Sequence, residues 1–167
     1  MVAVATNRAS CPAAAFARER GIALAVLSQK DFASGEERDA AMRDFFLQQG
    51  VELVVDAGYD RIHTAPFLEA FEGRIVNIHP SLLPMFSGGM DAVEQALESG
   101  LKFTGATVHV VTAELDAGPI LVQESVPILE GDTVETLGRR VHEAEHRILP
   151  EGIRMMEARL ADRSSVR

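Results

Sequence analysis

Arg74-Ile75-Val76-Asn77-Ile78-His79-Pro80-Ser81-Leu82-Leu83-Pro84 reads as a buried strand that ends in chemistry. Ile75, Val76 and Ile78 are strand formers, and Pro80, which has no backbone N–H, ends the hydrogen-bonded ladder. Side chains alternate along a strand, so Asn77 and His79 leave by the same face and bring an amide and an imidazole to one spot at its exit. The prolines at positions 80 and 84 hold that exit rigid. An ordinary histidine at a strand end, with Asn77 as a turn residue, fits the same spacing, so the residues alone leave both readings open.

The flanks repeat a strand-helix alternation. Residues 1–6 and 22–27 read as short strands around a helix that Ser10 caps, with Pro12 in its first turn, Phe16 on its apolar side and Gly21 as its stop. Residues 34–49 carry Met42, Phe45 and Phe46 at helical spacing, and 51–55 is strand again. A short helix over 64–71 precedes the opening stretch, and another over 91–97 follows it. Strands over 103–110 and 119–126 come next. Asp132-Thr133-Val134-Glu135 resembles a capping box opening a long helix with Leu137, Val141, Ile148 and Ile153 on its apolar side. This order predicts an α/β fold with a mostly parallel sheet, helices on both faces and right-handed crossovers. Ligands of such sheets bind beyond the strands' carboxyl ends, which singles out the loops 57–63, 80–90 and 111–118.

Length and composition bound the function. A chain of 167 residues is one domain by length. With no run of about 18 apolar residues and no basic leader over residues 1–5, it is expected to be cytoplasmic, with no membrane partner. Cys11 is the only cysteine, which excludes an intrachain disulfide and a thiolate metal cage. The net charge of −9 argues against a nucleic-acid partner, and any phosphate must be held locally by backbone amides or a few placed cations.

The octet Asn77-Ile78-His79-Pro80-Ser81-Leu82-Leu83-Pro84 closely resembles the signature of the folate-dependent formyltransferases, and within them the branch that formylates glycinamide ribonucleotide in purine synthesis. Thr104-Gly105-Ala106-Thr107-Val108-His109 matches as well, as does Ala57-Gly58-Tyr59-Asp60-Arg61-Ile62, and the resemblance runs from residue 1 to about residue 159. It implies a Rossmann-like formyltransferase fold lacking the first β-α unit, because the family opens with a strand and a Gly-x-Gly-Ser-Asn turn that binds the substrate phosphate and this chain starts after them. It also implies a single domain over 1–162 with a flexible tail over 163–167, monomeric or homodimeric. The 167 residues alone are then expected to be poorly soluble and to fall short of the full reaction, with Met1 a misassigned start inside the opening strand.

The implied reaction moves a formyl group from 10-formyltetrahydrofolate to the amine of glycinamide ribonucleotide, without a metal. The resemblance makes Asn77, His79 and Asp116 catalytic: Asn77 and His79 would donate to the oxyanion, while Asp116 would favour the charged imidazole and relay a proton. His109 is implied in support, positioning Asp116 or water. Implied folate contacts are Tyr59, Asp60, Arg61, Ile62, His63, Asn77, Glu114 and Asp116, and implied ribonucleotide contacts are His142 and Glu145. Two departures stand out. Asp60 and His63 occupy positions where the family places apolar residues, and 85–90 lacks the Pro-Gly and following histidine often found there.

Three other readings remain. A formyltetrahydrofolate deformylase would use the same Asn, His and Asp with water as acceptor. A non-catalytic folate-binding remnant would bind without turnover. His142-Glu143-Ala144-Glu145-His146 also matches H-E-x-x-H, a zinc-hydrolase pattern, but it is short, no third ligand follows, and Pro150 is expected to disturb the helix soon after.

Overall fold

The computed structural model describes residues 1–89 and 91–165, which divide into two units, Met1–Glu52 with Ile62–Glu72 and Leu53–Arg61 with Gly73–Arg167. In the first, β1 (Ala3–Thr6) and β2 (Ala23–Val26) pair in parallel with Ala3 opposite Ala23, and α1 (Pro12–Glu19) makes the crossover between them. Cys11, not Ser10, caps α1: its sulfur accepts the Ala14 N–H at 3.4 Å. Ala14 and Ala17 form the buried face, and Phe16, about 200° round the helix from Ala14, faces outward beneath the Arg20 guanidinium at 4.4 Å. A 3-10 turn over Gln29–Asp31, which carries no apolar period to announce it, leads to α2 (Gly35–Gln48), capped by Ser34. Met42 and Phe46 of α2 pack inward, with Phe67 and Phe71 at the end of α3 (Ala65–Ala70) lying about one ring away from Phe46.

The second unit holds a four-stranded sheet in the order β3 (Val54–Asp56), β4 (Ile75–His79), β5 (Phe103–Val110), β6 (Ile120–Pro127). β3 and β4 run parallel, whereas β4-β5 and β5-β6 are antiparallel. Residues 111–119 are too few for a crossover, so β6 returns along β5 as a hairpin. Gly118 lets that hairpin close, since a Cβ there would sit 1.8 Å from the Val110 carbonyl oxygen. α4 (Ala92–Glu98) packs on β5, and α5 (Val134–Ser165) lies across β4, β5 and β6.

The core of this unit joins Val76, Ala106, Val108, Val110 and Val126 of the sheet to Leu137, Val141, Ala144, Ile148 and Met156 of α5. Each of the Val, Leu, Ile and Met side chains contributes about 1.5–3 kcal/mol of burial, and the alanines less. Gly152 lets the helix lie flush on the sheet, because a Cβ there would meet Val108 Cγ1 at 2.4 Å. That continuous apolar stripe carries α5 through Pro150, its packed face outweighing the one lost N–H, and the helix runs to Ser165. Val166 and Arg167, like Met90, lie outside the described residues. The capping box forms one residue later than predicted. Thr133 and Thr136 exchange hydroxyl and N–H bonds, and Asp132 instead receives the Arg140 guanidinium and the Leu129 N–H.

Candidate active site

Antiparallel register sets Asn77 of β4 directly opposite His109 of β5, and His79 opposite Thr107. Both histidines are buried, and the loop after β5 brings Asp116 between them. One carboxylate oxygen lies 3.6 Å from His79 Nδ1 and the other 3.5 Å from His109 Nε2. The Gly88 N–H donates to the carboxylate at 2.8 Å and so ties the loop after β4 to the loop after β5. Asp116 adopts φ of +52°, a left-handed conformation that Asp and Asn tolerate better than most residues.

His109 has a definite protonation pattern. Its Nδ1 faces the Val110 carbonyl at 3.2 Å, and a carbonyl only accepts, so Nδ1 carries the proton. Nε2 then accepts from the Asn77 amide at 3.2 Å, which points the Asn77 nitrogen into the site and leaves its second N–H for another acceptor. Burial pushes the His109 imidazole below its ordinary range, against the raising effects of the Val110 carbonyl and the Asp116 carboxylate. A neutral His109 is what the bond to Asn77 requires.

His79 is held differently. Its Nε2 donates to the Phe86 carbonyl at 3.0 Å, and Phe86 itself has φ of +57°, unusual for a bulky residue. The loop over 80–89 therefore lies close over the imidazole.

The other candidate residues are placed as follows. Glu114 is exposed on the Asp116 loop, where its carbonyl accepts from the Thr112 hydroxyl at 3.0 Å. Tyr59, Asp60 and Arg61 follow β3, Asp60 and Arg61 exposed with 3.9 Å between their charged groups. Ile62 is exposed, whereas His63 is buried and stacks on Phe67 at 4.3 Å, so its ring belongs to the packing of the first unit. His142 and Glu145 pair with each other at 2.9 Å on α5, and the His142 and His146 rings lie 4.1 Å apart. Among the described residues no group of three or more His, Cys, Asp or Glu side chains is placed to hold a metal ion. No described helix is long and apolar enough to cross a membrane.

Sequence reasoning did not find the Phe86 carbonyl or the Gly88 N–H, which are backbone groups with no side-chain signature. It also passed over Thr107, although its alternation with His109 on β5 was a usable signal.

The chain belongs to the formyl transferase family, whose model matches residues 1–153. Its relatives include the phosphoribosylglycinamide formyltransferase of Haemophilus influenzae, 39% identical over 147 residues that make up 88% of this chain and 69% of that protein. Another is the trifunctional purine biosynthetic protein adenosine-3 of Gallus gallus, 44% identical over 93% of this chain. The match covers only 16% of that relative, so the chain spans about a sixth of its length. Among solved structures, glycinamide ribonucleotide transformylase 1 from Symbiobacterium toebii superposes with a TM-score of 0.90 at 47% identity, covering 95% of this chain and 75% of that one. The Rossmann-like α/β fold expected from the sequence agrees with that neighbour.

Proposed function

We propose that this chain catalyses formyl transfer from 10-formyltetrahydrofolate to the primary amine of glycinamide ribonucleotide, releasing tetrahydrofolate. The observation that carries the reading is the convergence of His79 and His109 on the Asp116 carboxylate at 3.6 and 3.5 Å, with the Asn77 amide bonded to His109 at 3.2 Å.

The chemistry demands such a set. The amine attacks the formyl carbon, the C=O becomes a tetrahedral oxyanion, and the C–N10 bond then breaks. The amine nitrogen sheds one proton and N10 gains one, so the reaction needs donors aimed at the oxyanion and a path between the two nitrogens. The free N–H of Asn77, fixed in direction by His109, serves as one donor. His79, its Nδ1 facing Asp116, serves as the other once its Nε2–H turns from the Phe86 carbonyl to the substrate, and it protonates the leaving nitrogen, while the Asp116 carboxylate stabilises its positive charge and carries the amine's proton through water. Backbone N–H and C=O groups of Tyr59, Asp60, Arg61 and Glu114 serve the pteridine, a recognition that does not depend on an apolar side chain at position 60.

The test takes glycinamide ribonucleotide to millimolar concentration. Tetrahydrofolate release that rises with the ribonucleotide supports the reading. Release that proceeds equally with water alone supports a deformylase instead.

A further inference from the structure

We propose that Gln123 and Thr107 are positioning residues for His79, acting through the backbone that follows it. This rests on the catalytic reading of His79 given above.

After His79 the chain turns out of the sheet at Pro80, and its next backbone groups lose their ladder partners. Thr107 replaces them. Its hydroxyl donates to the Ser81 carbonyl at 2.6 Å, accepts the Leu83 N–H at 3.1 Å and accepts the Gln123 side-chain N–H at 2.9 Å. One donor and two acceptor sites are all a hydroxyl has, so Thr107 is saturated. The second N–H of the Gln123 amide reaches the Leu83 carbonyl at 3.0 Å. Three backbone groups of residues 81–83 are thereby fixed from β5 and β6, with Thr107 and Ser81 fully buried.

The chain of bonds continues to the imidazole. The Ser81 hydroxyl donates to the Met85 carbonyl, and the adjacent Phe86 carbonyl, turned by its positive φ, receives the His79 Nε2–H. A shift of residues 81–83 therefore moves the group that orients the ring. Gln123 is the informative end of this chain because it is exposed on β6, opposite Thr107, and touches no reacting group. Its removal opens no cavity, so a loss of activity there reports on position and not on folding.

The experiment compares Gln123→Met, which keeps length and removes both N–H donors, with Gln123→Glu, Thr107→Val and Thr107→Ser. Each is read by kcat and KM, by Tm, and by the 15N signals of the His79 ring assigned with His79→Ala. Gln123→Met is expected to lower kcat on the order of tenfold, with KM within about twofold, and to move the His79 ring signals. Thr107→Ser is expected to retain activity that Thr107→Val loses. Should Thr107→Val fail to fold, Gln123→Met still decides. In a His79→Ala background Gln123→Met should cost little more, because both act through one group. Unchanged kcat and unchanged ring signals in Gln123→Met would overturn the proposal, as would a full tenfold loss retained without His79. If the parent protein transfers no formyl group yet Gln123→Met still moves the His79 signals, the positioning stands and the catalytic reading fails.

Discussion

Asp116→Asn isolates charge from shape. An asparagine oxygen can take the place that now receives the Gly88 N–H at 2.8 Å and faces His79, while its NH2 turns toward His109, whose Nε2 lone pair stays with the Asn77 amide. Asn also tolerates the positive φ of +52° found there, which makes it a cleaner probe than alanine. What disappears is a buried negative charge 3.6 Å from His79 Nδ1. At an effective dielectric of about 20, a unit charge at that distance is worth roughly 4–5 kcal/mol, a ceiling near three powers of ten in rate. Water entering beside the amide recovers part of that, so kcat should fall on the order of a hundredfold. Folate affinity, measured by calorimetry, should change by less than about threefold and Tm by no more than about 2 °C. A kcat within threefold of the parent would refute the proton-handling role of Asp116.

Other consequences can be checked independently. Because burial lowers the His109 value, its contribution to stability is complete above its ordinary value of about 6.5 and is lost as pH falls below it; urea unfolding at pH 7.5 and 5.5 should show a shallower decline for His109→Gln than for the parent, and parallel declines would sink the idea. Gly152→Ala gains about 1 kcal/mol of helix propensity but drives a Cβ to 2.4 Å from Val108, and the clash should win by about 1 kcal/mol or more, lowering Tm by several degrees; an unchanged or raised Tm would mean that α5 can lift off the sheet cheaply. Purified protein should carry no stoichiometric zinc and lose no formyl transfer to a chelator, whereas about one zinc per chain, released by changing His142, would favour the hydrolase reading.

Much of the site was legible because it depends on side chains in regular elements. The period of two on β4 placed Asn77 beside His79, and the match around Asp116 supplied the carboxylate that antiparallel register then brought to both histidines. The return direction of β5 and β6 was harder to read, since a run of strand formers has no polarity and only the short 111–119 connection betrays the hairpin. The buried face of α1 was harder to read, because Ala14 and Ala17 carry a weaker apolar signal than the outward-facing Phe16. Pro150 is accommodated within α5 because a local penalty on the helix is small beside the tertiary packing of Ile148 and Met156. The contacts that position His79 are partly backbone groups reached through a left-handed Phe86, and no side-chain pattern announces those.

The central claim, that this site hands a formyl group to an amine, is tested most directly by following the carbon itself. Donor labelled with 13C at the formyl group is mixed with excess protein and millimolar glycinamide ribonucleotide in a single-turnover format, so that even a slow reaction leaves its label. A formamide signal on the glycinamide nitrogen is expected, absent without the ribonucleotide and slowed on the order of a hundredfold in Asp116→Asn. Label appearing as free formate, at the same rate with or without the ribonucleotide, would contradict it.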